Sequence, residues 1–478
     1  TWLVDGKPYI ALAGELHNSS ASSLRYMDEQ VWPALRPLHL NTVILPVAWE
    51  SVEPEEGKFD FSLPDGLIAA AKREQVRLVL LWFGLWKNGL SSYIPGWAKK
   101  ASSGVSARFF RARDAFGRPL DCISPFCSDA VAADAAAFRA LMLHLAEADS
   151  DRTVIAVQVE NEIGILGADR DFCSAANRAF AQPVPQPVAD WFGVRGSWED
   201  AFGRDGAEMM MAWQYGSAVE QIASQGKGVY PLPLYVNAWL QQHPDRPGKY
   251  PCGGPVAKMR DIWRLAAPSV DCFAPDICVN AYRAVCDEDA LCFAPFGIED
   301  LCGKRRDEMG ADLLQTLNIG AGAFDGAGAG ERLAAAYEMV GNMQEIIREA
   351  HENGKIHAFL EYNDAGVTIP LGKYDALISY TGASASFFSG PGTKDRSVAG
   401  GFIIERSEDE FLICGSGFSV QFLPKPGVQA VAGVLRKEEG RYQGGVWIPG
   451  RVLNGDEGYF IRLSDFPQVQ RVWMYTYC

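Results

Sequence analysis

The segment VQVENEIG sets Glu160, Asn161 and Glu162 side by side, three residues whose types suit acid–base work on a polar substrate. Cleavage of a glycosidic bond needs one carboxyl that stays protonated near neutral pH to protonate the departing oxygen, and burial beside a second carboxylate raises a pKa in that direction. The apolar run TVIAVQV just before them reads as a strand, so Glu162 falls where strand gives way to loop. Glu160 shares the face of Glu162 in an ideal strand. Alternation does not choose between them, and the plain alternative is that both are ordinary charges at a strand-to-loop junction.

Other strand ends are rich in groups that bind sugars. Glu15, His17 and Asn18 follow the first expected strand, and Trp49 and Glu50 the second. Trp82, Phe83, Trp86, Lys87 and Asn88 belong to the third, Asn237 and Trp239 to the fifth, and Asp276 follows the sixth. Aromatic faces stack on the apolar side of a pyranose, while carboxylates and amides take its hydroxyls. With 13 Trp in the chain, ordinary core packing is the competing account for most of them, and a hydrogen-bonded structural role is the competing account for His17.

What must position these residues is a β/α rhythm. The runs IALAG, NTVILPV, VRLVLLWF, TVIAVQV, LPLYVNAW, VDCFAPD and ALCFAPF alternate with stretches of helical periodicity at 65–75, 129–148 and 207–226. Such near-continuous apolar strands suit a parallel sheet covered on both faces, and about 340 residues of alternation fit a (β/α)8 TIM barrel, whose active sites lie at the carboxyl ends of the strands. A doubly wound sheet is disfavoured because no phosphate-binding Gly pattern follows a strand; GAGAFDGAGAGE from Gly320 lacks the required spacing and reads as a loop. Pro- and Gly-rich insertions at 182–187 and 243–255 fall where barrel loops belong. A helix over 333–353 closes the barrel, and the texture then changes to alternating strands with Gly-containing turns, as in an antiparallel β-sandwich. The expected division is a catalytic barrel over 1–353 and a smaller β-sandwich domain over 354–478, with the boundary near Gly354.

The 478 residues and 48% hydrophobic content suffice for a large core, and 44 basic against 59 acidic residues give a formal charge of -15, which repels phosphate backbones and anionic membranes. Nucleic acid and membrane are therefore not expected partners. No run reaches the about 20 apolar residues of a spanning helix. Eleven Cys without a close pair and only six His argue against a zinc site, and thiols such as Cys272 and Cys292 read as small buried groups, leaning toward a reducing, cytoplasmic setting. The opening TWLVDGKPYI lacks an initiator Met, so a removed signal peptide, with a periplasmic or secreted location, stays open.

Three stretches together, LRPLHLNTVILPVAWESVEPEEGKFDF, LVLLWFGLWKNGLSSYIPGWAKK and IAVQVENEIGILG, resemble the glycoside hydrolase family 35 β-galactosidases and the related family 42 enzymes, closest to the bacterial β-galactosidase-like branch with an extra C-terminal β domain. The resemblance covers residues from about 10 to 300 and, more weakly, the tail. It implies a retaining, exo-acting β-galactosidase that needs no metal or organic cofactor. It makes Glu162 the general acid/base and Asn161 the partner of the hydroxyl next to the anomeric carbon. Glu15, His17, Trp49, Glu50, Trp86, Asn237 and Trp239 are the remaining candidates for the carbohydrate substrate.

A retaining enzyme also needs a nucleophilic carboxylate about 5 Å from the acid, which the family carries at the end of strand seven. Here the chain departs from the pattern. Only about a dozen residues separate FAPDI, ending at Ile277, from ALCFAPFGIED, which resembles the family's eighth strand, and a parallel crossover alone takes about 10 to 12. Three explanations stand: residues absent from the quoted chain, a deletion that lost the nucleophile, or ALCFAPFGIED as strand seven with Glu299 as nucleophile. The first is preferred, because a barrel without one β/α unit exposes sheet edges; a chain break near 278–280 would support it. For Glu299 itself, a helix-start carboxylate is the stronger reading. The rival functions are a barrel hydrolase acting on an arabinopyranoside, fucoside or glucoside, and a catalytically silent carbohydrate-binding protein. Homo-oligomerisation is left open.

Overall fold

Six apolar runs become the strands of one parallel sheet: β1 (Ala13–Glu15), β2 (Thr42–Ala48), β3 (Arg77–Lys87), β4 (Val154–Asn161), β5 (Leu234–Trp239) and β6 (Cys272–Asp276). They pair in chain order from β1 to β6, every pairing parallel. The computed structural model describes residues 3–104, 107–239, 246–276, 329–361, 366–380, 399–427, 430–457, 461–464 and 466–478. Residues 277–328 lie outside them, and with them Glu299, Cys292, the junction at 278–280, the run ALCFAPFGIED and the Gly-rich stretch from Gly320.

Burial on both faces explains the continuous hydrophobicity of these strands: all eight residues of β4 are buried. One face points inward, where Ile44, Val79, Leu81, Phe83, Ala156, Tyr235 and Ala274 form the lining of the barrel. The opposite face, with Val43, Leu45, Leu78, Leu80, Trp82, Val157 and Val159, packs on the surrounding helices. These helices include α1 (Ser62–Glu74), α2 (Ser128–Ala148), α3 (Gly206–Lys227) and α4 (Arg260–Ala266). Ala-rich α2 and α3 approach closely; a Cβ on Gly226 would lie 2.3 Å from the Phe138 ring. The structure is thus a (β/α) barrel wall followed by a β domain.

The chain then runs through α5 (Ala329–Glu352) into β7 (Ile356–Leu360), β8 (Val367–Pro370), β9 (Tyr374–Ser379), β10 (Gly400–Glu405), β11 (Glu410–Ser416), β12 (Ser419–Pro424), β13 (Val431–Gln443), β14 (Val446–Val452), β15 (Ile461–Arg462) and β16 (Gln468–Tyr477). They form two antiparallel sheets, ordered β7-β10-β11-β16-β13-β14 and β8-β9-β12-β15. A core of Tyr374, Ile378, Ile403, Phe411, Ile413, Phe418, Phe422 and Val472 draws on both sheets.

Helix α5 is shared. Leu333 and Tyr337 pack against the core outside the barrel wall, and Tyr337 Oη donates to the carbonyl of Ala13 at 2.9 Å. Further along, Met343, Ile346 and Ala350 pack on Ile404, Leu412 and Cys414 of the larger C-terminal sheet.

Cys122, Cys127, Cys173, Cys252 and Cys414 are buried thiols, whereas Cys272 is only half-buried, a correction to its expected burial. Among the described residues no helix is long and apolar enough to cross a membrane, and no group of three His, Cys, Asp or Glu could hold a metal ion.

Candidate active site at the end of the fourth strand

Strand β4 ends in an abrupt change of backbone direction. Glu160 and Glu162 both take positive φ, 64° and 44°, as does Asn88 at the end of β3, 52°. Each such conformation in a non-glycine residue costs about 1–3 kcal/mol and persists only where neighbours hold it.

Neighbouring strands and loops hold these conformations. The Asn88 N–H donates to the carbonyl of Asn161 at 3.0 Å, continuing the β3–β4 pairing beyond the regular strand. The Glu162 N–H donates to Asn237 Oδ1, at the end of β5, at 2.8 Å. The following loop is strapped to the segment around Cys252 by reciprocal 2.9 Å bonds between the N–H and C=O groups of Ile165 and Cys252. Gly164, with φ 146°, leaves no room for a side chain, since a Cβ would lie 2.5 Å from the Pro251 backbone. Glu162 is 6% exposed, and Asn161 and Asn237 are 3% exposed.

Positive φ also sends the two glutamates different ways. Glu160 leaves the barrel lining and turns to the helix side of the sheet, where its carboxyl accepts from the N–H groups of Leu85 at 3.0 Å and Trp86 at 2.6 Å. There it meets Asp134 of α2, which accepts from Trp82 Nε1 at 2.8 Å and from the Leu85 N–H at 2.9 Å. Both carboxyls are fully buried. Burial first, then the adjacent Asp134 charge, pushes the Glu160 carboxyl well above its ordinary range, and burial likewise raises Asp134. Gly84 makes the meeting possible: a Cβ there would lie 2.4 Å from Asp134 Oδ2 and 2.5 Å from Glu160 Oε1.

The amide of Asn161 sits among Lys87, Asn88 and Gln158. Its oxygen can accept from Lys87 Nζ at 3.0 Å and the Glu162 N–H at 3.2 Å, with its nitrogen toward Gln158. Lys87 Nζ also donates to Asn88 Oδ1 at 2.7 Å and lies 5.1 Å from the centre of the Phe83 ring. Asn161, Glu162 and Asn237 are therefore brought together with Lys87 and Asn88, also expected at strand ends, and Gln158 is added. Parity with Ala156 on the inner face was the available signal for Gln158.

Two expected sugar-binding aromatics are placed elsewhere. Trp49 is fully buried, with Nε1 donating to Glu53 Oε2 at 2.8 Å and its ring against Trp97. Trp86 is fully buried, with Nε1 donating to the Ile123 carbonyl at 2.9 Å and its ring edge-on to Tyr215. Neither presents a face to a ligand, because strand-end rings here fill the gap between wall and helices.

Glu50 is exposed and paired with Lys99 at 3.1 Å. His17 is exposed at a turn in which its carbonyl accepts from the Ser20 N–H at 2.9 Å. Glu15 is half-buried at the end of β1, and Trp239 is half-buried against the outer core. Asp134 was missed in sequence, since its distance from Glu160 along the chain leaves no local pattern.

Comparison with known proteins adds two family matches. Residues 28–202 match the family described as beta-galactosidase, glycoside hydrolase family 42. Residues 333–464 match a domain of unknown function, DUF5597. A beta-galactosidase of Xanthomonas manihotis is 31% identical over 183 residues, which are 37% of this chain and 27% of that protein, so the chain spans about a quarter of the relative's length. Similar solved structures include a catalytic mutant of Gan42B, a GH42 beta-galactosidase from G. stearothermophilus, with TM-score 0.40 and 15% identity over 57% of this chain and 40% of that one. Another is the catalytic domain of beta-amylase from Paenibacillus polymyxa, with TM-score 0.42 and 12% identity over 65% of this chain and 90% of that one.

Proposed function

From a chain that carries a glycoside hydrolase family 42 segment over residues 28–202, we propose a retaining, exo-acting β-galactosidase in which Glu162 is the general acid/base. The observation that carries this reading is a nearly buried carboxyl-bearing residue at the end of β4, its N–H fixed by Asn237 and its neighbour Asn161 set among amides and an ammonium.

In the first step Glu162 gives its proton to the departing glycosidic oxygen while a second carboxylate attacks the anomeric carbon. In the second, Glu162 takes a proton from the water that releases the sugar. Asn161 takes the hydroxyl beside the anomeric carbon. The second carboxylate is expected from a stretch absent from the quoted chain near 278–280, with Glu299, outside the described residues, the reserve choice. The barrel over 1–353 is the catalytic unit and 354–478 a β-sandwich appendage to which we assign no chemistry.

The test is a panel of aryl β-glycosides of galactose, fucose, arabinose and glucose, with the anomer of the first product read by NMR. Retention and a galactoside preference support the reading. Inversion overturns the double displacement, and sugar binding without hydrolysis by the full chain overturns the enzyme.

A further inference from the structure

Asp134 and Glu160 have a geometry that two independent structural carboxylates would not share. Three N–H donors, from Leu85, Trp86 and the Trp82 indole, converge on four carboxyl oxygens, and the two carboxyls share one of them, the Leu85 N–H, at 2.9 Å to Asp134 Oδ2 and 3.0 Å to Glu160 Oε1. Among the described residues neither one forms an ion pair with a Lys, Arg or His side chain. The flanking residues on α2, Ala130 and Phe138, are apolar and buried. Two buried anions in contact would repel without compensation, whereas one proton between them leaves a single negative charge that three donors can satisfy.

We propose that Asp134 and Glu160 form a proton-sharing pair that positions Glu162 by locking the end of β4 to residues 85–88 of the third-strand rim. The proposal rests on the reading of Glu162 as general acid. Two ties make the lock: the Glu160 carboxyl on the N–H groups of Leu85 and Trp86, and the Asn161 carbonyl on the N–H of Asn88. Between them the chain turns through the left-handed conformation of Glu160, which is what directs the next two residues toward the rim. Neither member touches substrate, so both are positioning residues. A displacement of about 1 Å at the proton donor is enough to slow turnover about 10²-fold.

The experiment compares the full-length wild type with Asp134→Ala, Asp134→Asn and Glu160→Gln on two aryl galactosides, one with a poor and one with a good leaving group. Infrared spectra are recorded at neutral pH. Asp134→Ala and Glu160→Gln are expected to lose about 10²-fold in kcat on the poor leaving group and only a few-fold on the good one, with KM little changed, because only the former needs a placed proton donor. Asp134→Asn, which keeps a donor toward Glu160, recovers most of the loss. The wild type minus Asp134→Asn difference spectrum shows a protonated-carboxyl stretch beyond any that Glu162 gives in both proteins, a readout that stands even if Asp134→Ala does not fold.

Equal losses on both substrates, an Asn variant no better than Ala, or no protonated-carboxyl band in the wild type minus Asp134→Asn difference spectrum overturns the proposal. A wild type that hydrolyses no glycoside removes the hydrolase reading instead, and the infrared band then still decides whether the pair holds its proton.

Discussion

The side-chain oxygen of Asn237 accepts the backbone N–H of Glu162 at 2.8 Å, so the end of β4 is held by the neighbouring strand β5 as well as by its own loop. Asn237→Ala leaves this buried donor only the longer contact to the Asn161 oxygen, which costs about 0.5–1.5 kcal/mol, the net worth of one hydrogen bond. The midpoint of urea unfolding is expected to fall accordingly, and hydrolysis of an aryl galactoside to fall with it. An unchanged midpoint would show that Asn237 does not bear on the strand end.

Glu162→Gln keeps size and hydrogen bonding but has no proton to give. Folding is expected to survive, monitored by circular dichroism, while turnover of substrates with poor leaving groups drops by about 10² to 10⁴. Unchanged turnover of such a substrate refutes the assignment.

Trp49 has no exposed face, and its indole nitrogen is bonded to Glu53. Trp49→Phe is therefore expected to lower stability by about 0.5–1.5 kcal/mol, the usual net worth of one hydrogen bond, without raising KM for a galactoside. A selective rise in KM would return Trp49 to the list of sugar contacts.

The raised pKa of the Asp134–Glu160 pair fixes the sign of one pH effect. The folded chain keeps a proton that the unfolded chain releases in the ordinary carboxylate range, so the folded state binds more protons above that range. Stability then declines as pH rises from there until the pair itself ionises, by up to about 1.4 kcal/mol per pH unit for one proton. Denaturation of wild type and Asp134→Asn across that window checks this: the Asn variant has the flatter profile, and parallel profiles would count against a shared proton.

Gly84→Ala drives a methyl group into both carboxyls and the Trp82 indole, within 2.4 to 2.6 Å. Overpacking of this kind costs about 1–3 kcal/mol. Gly96, whose added Cβ would meet nothing within 4 Å, is the matched control and should shift stability by no more than about 0.5 kcal/mol. Equal thermal midpoints for the two variants would mean the pair yields without penalty.

The barrel wall was legible in the sequence because burial on both faces leaves a signature no turn can imitate: NTVILPV, VRLVLLWF and TVIAVQV each lie, except for the first residue, within a strand of the parallel sheet. Helices α2 and α3 were legible for the same reason of length and period. The strand-end chemistry was less so. Period two put Glu160 and Glu162 on one face, and one left-handed residue undid that parity. The Trp residues were ambiguous in principle, since a ring at a strand end fills a helix contact or stacks on a sugar with the same sequence pattern. Asp134 reads as one more polar residue on an Ala-rich helix; only the packing of α2 on β3 and β4 brings it to Glu160.

Helix α5 gives its first turns to the barrel and its later ones to the C-terminal sheet. It is a party wall: neither neighbour can be demolished without stripping plaster from the other. A graft that moves the β module onto another barrel would have to bring Ala329–Glu352 along, and a barrel prepared without the module would turn the side chains of Met343, Ile346 and Ala350 to water.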